Sequence, residues 1–246
     1  MTSRHFSMAV SVLLLGLGLV MSAPGLARAV PVDVEIVLAV DASGSVDNVE
    51  YALQRFGYAN AFRNPRVIRA IRNGVHGAIA VTFVEWTGPE LHITIIDWTL
   101  IKDAASAKRF AGELQGKERV LFNGGTAVGD AILFSASLFA NNSFEGNRRI
   151  IDISGDGPTN RGYPAAMARD LVAKQGITIN GLPILDGFYP GLHQFYLDHV
   201  IGGPGSFAIP AKGFKDFSVA VLNKLIREIA RLEAGNDLAL GDARQR

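Results

Sequence analysis

Three observations in the sequence predict an open α/β sandwich, a mostly parallel sheet with helices on both faces. Apolar runs rich in β-branched residues alternate along the chain with segments of helical periodicity. The runs are continuously apolar rather than alternating, as strands buried on both faces of a parallel sheet must be. One pair of runs is joined only by Glu85-Trp-Thr-Gly-Pro-Glu90, too short for a helical crossover, so that pair forms an antiparallel hairpin at the edge.

The first strand is expected over residues 34–40, the run VEIVLAV. A helix at about 46–63 follows, with Ser45 or Asp47 as its N-cap and Glu50 in its first turn. A short turn or helix is expected near 66–72, then the hairpin strands 78–84 and 91–98. Trp86 at the hairpin's tip and Trp98 at its end read as packing residues. Helices at about 104–114 and 127–139 lead to a strand at 149–153, and a helix at 163–174 to a strand at 177–182. A sixth strand is expected at 206–209. In the last helix, 214–232, Phe214, Phe217, Val221, Leu225, Ile229 and Leu232 recur at spacings of three and four and form one apolar stripe.

Ahead of the first strand, Arg4 precedes an almost unbroken apolar stretch at 8–20, and Ala27-Arg28-Ala29 fits a signal-peptidase site. A largely apolar core of about 13 residues is short for a bilayer that needs about 20. The expectation is a cleaved Sec-type leader over 1–29, one domain over 30–233, a polar tail over 234–246, and a periplasmic or secreted product with no membrane span in the mature chain. Of the 24 Lys and Arg, Arg4 and Arg28 lie in the leader, which holds no acid; the remaining 22 face 23 Asp and Glu. That balance leaves no basic footprint for nucleic acid or anionic lipid. The chain has no cysteine, so an exported fold relies on its core, and on any bound metal, rather than on disulfides.

In open α/β sheets, binding loops sit beyond the carboxyl ends of the strands. There the sequence places Asp41-x-Ser43-x-Ser45 after the first strand and Ser154-Gly-Asp156-Gly-Pro158 after the fourth. Asn123-Gly-Gly-Thr126 opens the helix between the hairpin and the fourth strand. All are short, glycine-rich and oxygen-bearing, which suits a hard divalent cation, Mg²⁺ foremost, with Mn²⁺ or Ca²⁺ as alternatives. Asp41 and Asp156 supply two negative charges and the hydroxyls of Ser43, Ser45 and Thr126 none, so a bound ion keeps its electrophilic character and an exchangeable water. A carboxylate from another molecule can take that water's place. Asp130 reads as a first-turn acid favoured by the helix dipole, and Asp152 as a buried hydrogen-bonding acid within its strand.

The ordered set of Asp41-Ala-Ser-Gly-Ser45, Thr126 in its Gly-Gly-Thr loop, and Gly-Asp156-Gly resembles the metal-ion-dependent adhesion site of von Willebrand factor type A (vWA) domains. The resemblance covers about residues 32–232 and extends to an exported bacterial branch of the DUF1194 kind. It implies a doubly wound, mostly parallel, Rossmann-like sheet with one short antiparallel edge strand. It also implies Asp41, Ser43, Ser45, Thr126 and Asp156 as metal ligands, and a protein partner presenting Asp or Glu. Gly155 departs from the threonine or serine common there in the family. By the same resemblance the last helix is one that shifts in some members when ligand occupies the metal.

Two other readings stand beside this one. A hydrolase or phosphatase would use Asp41 as nucleophile, but the second acid such enzymes need two residues on is here Ser43, and no Gly-x-Ser-x-Gly elbow occurs. An envelope-complex subunit would use the metal for structure alone.

Overall fold

The computed structural model describes residues 29–230. The leader before Ala29, the last turn expected of the final helix and the polar tail lie outside the described residues.

Five strands form the main sheet: β2 (Val34–Asp41), β3 (Ile79–Trp86), β4 (His92–Ile101), β6 (Arg149–Gly155) and β7 (Thr178–Pro183). Their order is β4-β3-β2-β6-β7, every pairing parallel except the β3–β4 hairpin. The α/β class, parallel sheet and antiparallel edge expected from the sequence are therefore present. Strand β2 lies at the centre, Val34 opposite Ile79 and Asp41 opposite Trp86. All eight of its residues are buried, which is why its sequence shows no alternation. At ten residues, β4 is the longest strand rather than a short one. It is half-exposed and its pairing with β3 shifts register near Phe83, both common devices of an edge.

Helices cover both faces. Alternate residues Val34, Ile36, Leu38 and Val40 of β2 pack with Tyr58 and Phe62 of α1 (Asn48–Arg63) and with Phe217, Val221 and Leu225 of α7 (Phe217–Ala230). The short α2 (Pro65–Arg72) and α3 (Ala104–Gly116) lie on this side too. On the other face Ala39, Ile151 and Ile153 meet Val128 and Ile132 of α4 (Val128–Ser137) and Ala168 and Val172 of α5 (Ala165–Ala173).

Helix α1 is capped by Asp47, which accepts from the amides of Val49 (2.7 Å) and Glu50 (2.8 Å), while the Asp47 amide donates to Glu50 Oε2 (2.9 Å). This capping box satisfies the helix end without Ser43 or Ser45.

Three elements depart from expectation. Residues 206–209 form no strand: only isolated bridges, Gly181 to Ala208 and Ile184 to Ala211, tie that segment to the β7 edge. Strands β1 (Val30–Val32) and β5 (Phe144–Gly146) pair with each other in parallel. Residues 192–200 form α6 (Leu192–Phe195), continued by a π-helical turn at Tyr196–Val200.

Beneath α7 lies a buried polar cluster. Lys224 Nζ is 2.8 Å from Asp152 Oδ1 on β6 and 2.6 Å from Glu228 Oε1, with all three side chains fully buried. Tyr58 donates to Asp152 (3.2 Å) and Asn180 to Glu228 (2.8 Å). Asp152 is thus the buried hydrogen-bonding acid expected from its place in a strand. Among the described residues no helix is long and apolar enough to cross a membrane.

Candidate metal-binding site

Asp41 ends β2, and Asp156 directly follows Gly155, the last residue of β6. The parallel register of these neighbouring strands brings both acids to the same sheet edge, though 115 positions separate them in the chain. The Ser43 amide donates to Asp41 Oδ1 (2.7 Å), curling the loop back over the strand end. The hydroxyls of Ser43 and Ser45 lie 3.1 Å apart, and Ser45 donates to Asp156 Oδ1 (2.7 Å). Three of the five expected residues are therefore linked to one another through side chains, and Asp41 joins them through the Ser43 backbone.

Thr126 stands on the far bank. It precedes α4 but does not cap it; the N-cap position is Ala127, which makes no side-chain bond. Asn160 holds Thr126 by accepting from its amide (2.9 Å), with the Asn160 Nδ2 atom 3.5 Å from its hydroxyl. That hydroxyl is 3.8 Å from where a Cβ on Gly157, the residue after Asp156, would stand. Asp130 accepts from the Tyr163 amide (2.6 Å), a structural duty away from the cluster.

One oxygen of each acid, Asp41 Oδ2 and Asp156 Oδ2, is buried and receives no hydrogen bond. Burial, and after it the charge of Asp156, pushes the Asp41 carboxyl up to about 7. Burial likewise raises Asp156, with the charges of Asp186 and Glu50 adding to the effect. Two ionised carboxylates buried together are costly without a counter-charge. A small cation among these oxygens and hydroxyls would supply it, so the donor set fits a hard ion. Among the described residues no three His, Cys, Asp or Glu side chains gather, so a purely carboxylate or imidazole cage is not what is built here.

The family model described as "Protein of unknown function (DUF1194)" matches residues 31–233. The chain belongs to the DUF1194 family. No curated protein matches this DUF1194 chain by sequence. Among solved structures it is similar to proximal thread matrix protein 1 of the mussel byssus, in a form with a zinc-occupied MIDAS motif. That match has TM-score 0.59 at 18% identity and covers 82% of this chain and 49% of the mussel chain. It is similar to the pilus adhesin SpaC of Lactobacillus rhamnosus GG (TM-score 0.56, 18% identity, 81% of this chain and 30% of that one). A von Willebrand factor type A protein from Catenulispora acidiphila matches at TM-score 0.50 and 18% identity, over 81% of this chain and 42% of that one. The fold is thus that of vWA domains, and the DUF1194 chain spans half or less of each of these proteins.

Gly155, where the DUF1194 chain departs from the vWA pattern, has a physical explanation. A Cβ there would stand 2.8 Å from Asp41 Oδ2, 3.0 Å from the Tyr196 hydroxyl and 3.3 Å from the Trp86 ring. Bulky neighbours occupy the space a threonine would need, and Trp86 is indeed a buried packing residue.

Residues invisible to motif reading hold the first loop. Arg119 donates to the carbonyls of Ala42 (2.7 Å), Ser43 (3.2 Å) and Val46 (2.9 Å), clamping the turn from behind. Glu85, fully buried at the end of β3, fixes the segment that carries Arg119 by accepting from the amides of Val120 (2.9 Å) and Leu121 (2.8 Å) and from the Tyr51 hydroxyl. Gln54 ties the two strand ends, donating to the Asp41 carbonyl (3.1 Å) and accepting from Ser154 (3.3 Å). The only sequence signal was an arginine and a buried-strand glutamate, each ordinarily read as surface or capping.

Proposed function

We propose that this chain is an exported, metal-dependent protein-binding domain whose ion is completed by an acidic side chain of a partner. Residues 1–29 serve as the leader, 30–233 as the binding domain and 234–246 as the tail. Asp41, Ser43, Ser45, Thr126 and Asp156 hold a divalent cation, Mg²⁺ foremost. The observation that carries this reading is the pair of buried, unpartnered carboxylate oxygens set beside the Ser43 and Ser45 hydroxyls at the carboxyl edge of the sheet. The zinc-occupied motif named for the mussel thread protein supports a divalent ion on this fold. When bound, the ion supplies an electrophilic position that exchanges water for a carboxylate. The side chains do the rest: two acids neutralise it, hydroxyls leave its charge undiminished, and Arg119 keeps the loop in shape.

Water-proton relaxation with Mn²⁺ tests this directly. Bound Mn²⁺ that retains an exchangeable water enhances relaxation, and a peptide carrying a central Asp should reduce that enhancement, whereas its Asn counterpart should not. Mn²⁺ binding with no response to either peptide would favour a purely structural ion, and no Mn²⁺ binding would sink the proposal. Arg119→Ala should weaken Mn²⁺ binding by about tenfold or more, because residues that orient a ligand loop commonly matter on that scale. Unchanged affinity in a folded variant, measured by calorimetry, would show that the clamp is dispensable.

A further inference from the structure

The rim around the candidate ion has a chemistry of its own. Phe122, 55% exposed, lies over the Arg119 guanidinium (5.0 Å), which clamps the 41–46 loop from below. The next residue, Asn123, comes within 3.6 Å of where a Cβ on Gly44 would stand, so this segment borders the first ligand loop. Across the site, Tyr189 is 45% exposed, and its ring edge lies 3.5 Å from where a Cβ on Gly157 would stand. Phe188 beside it is 81% exposed, held out by a turn in which Asp186 Oδ1 accepts from the Phe188 amide (2.9 Å).

Three large aromatic side chains thus stand out into solvent on two sides of one polar centre, and water alone gives no reason to place them so. Aromatic residues are the anchors that protein interfaces favour. The rim's charge is lopsided. Asp186 holds the Phe188 turn beside Tyr189, and Glu50 accepts from the Asp47 amide (2.9 Å), two residues past Ser45, whereas Arg161 packs against Gly125 on the opposite bank. A partner's coordinating carboxylate is drawn by the ion, but further acids beside it would meet Asp186 and Glu50 without an ion to offset them.

We infer that this rim selects a partner segment in which a single acidic residue is flanked by apolar or aromatic side chains rather than set in an acidic run. The inference rests on the proposed metal-dependent docking and specifies the partner of that site. The probes are three peptides of equal length: a central Asp with Leu and Tyr flanks, the same Asp with Glu flanks, and an Asn-centred copy of the first. Binding to the Mn²⁺-loaded full-length mature protein is read by fluorescence anisotropy.

The apolar-flanked peptide should bind about tenfold tighter than the acid-flanked one, a difference of the size two exposed like-charge contacts and lost apolar contact produce. Asp186→Asn, which keeps the Oδ1 acceptor for the Phe188 turn, should narrow that gap. Phe188→Ser with Tyr189→Ser should weaken the apolar-flanked peptide while leaving Mn²⁺ affinity unchanged. Equal or tighter binding of the acid-flanked peptide, still dependent on Mn²⁺, would overturn the inference and leave the docking proposal standing. Binding of the Asn-centred peptide as tight as its Asp parent would sink both.

Discussion

Asp41→Asn should yield a protein more stable than its parent without divalent ion, yet one that the ion no longer stabilises. Both halves come from the same buried carboxylate. Burial and the neighbouring Asp156 raise Asp41 from its ordinary 3.8 to about 7. An acid raised in the fold binds its proton more tightly there than in the unfolded chain. The ion-free parent therefore loses stability as pH rises from about 4 through about 7, by on the order of 2–4 kcal/mol in total. Asparagine carries no charge, so the variant should lose that share of the pH dependence and show a shallower decline across the window.

The ion reverses the sign. On the proposed function it would bind the deprotonated acid and only in the folded state, so at a hundredfold excess over its dissociation constant it should add about 2.7 kcal/mol. For a domain of this size that is a rise in melting temperature of about 5–10 °C. Melting curves of parent and Asp41→Asn at pH 5 and pH 8, with and without Mg²⁺, give the whole pattern. A rise of equal size in the variant would mean the ion binds elsewhere.

The second large effect belongs to the charge cluster beneath α7. Lys224→Met removes the ammonium that pairs with both Asp152 and Glu228. Breaking a buried pair by deleting one partner typically costs about 3–5 kcal/mol, because the remaining charge has no water to turn to. Here two acids remain, and the loss should be larger at pH 8 than at pH 5, where protons can replace the lost ammonium.

The parent itself should show a milder version. Burial, then the Asp152 charge, lifts Glu228 from 4.5 to about 7. Stability contributed by its protonated form is present below about pH 4.5 and is lost as pH climbs through about 7. Glu228→Gln should remove that contribution and leave Lys224 paired one-to-one with Asp152. A Lys224→Met protein as stable as its parent at pH 8 would show that the triad does not hold α7 to the sheet.

These two clusters mark where sequence reading succeeds and where it stops. The inner strands of the main sheet were legible because burial on both faces demands unbroken apolar runs, and the β3–β4 turn because six residues cannot span a parallel crossover. The candidate site stood out because Asp41, Ser43 and Ser45 carry more polarity than a helix start needs. Asp47 with Glu50 caps α1 alone, so those three side chains are not needed for the cap. Lys224 was illegible: it interrupts no periodic pattern on α7, and nothing local to it announces Asp152, 72 residues earlier on a different element.

Short or irregular segments were missed for a related reason. Three-residue strands such as β1 and β5 are too brief to show a period, and the segment at 206–209 is apolar because it packs on β7, not because it completes a ladder. Arg119 looks like any loop cation until the fold lays it behind the carbonyls of Ala42 and Ser43.

By itself the sequence determined the fold class, the hairpin edge and the residue types available for an ion, and narrowed the α1 cap to Ser45 or Asp47, since each follows from local propensity or from the period of burial. Only the tertiary structure decided that Asp41 and Asp156 share one sheet edge with an unpartnered oxygen apiece, that Gly155 yields its space to Trp86 and Tyr196, and that Lys224 neutralises the core. Those outcomes depend on strand register and on which helix covers which face. Such long-range pairings are selected by the packing of the whole core, and no window of neighbouring residues contains them.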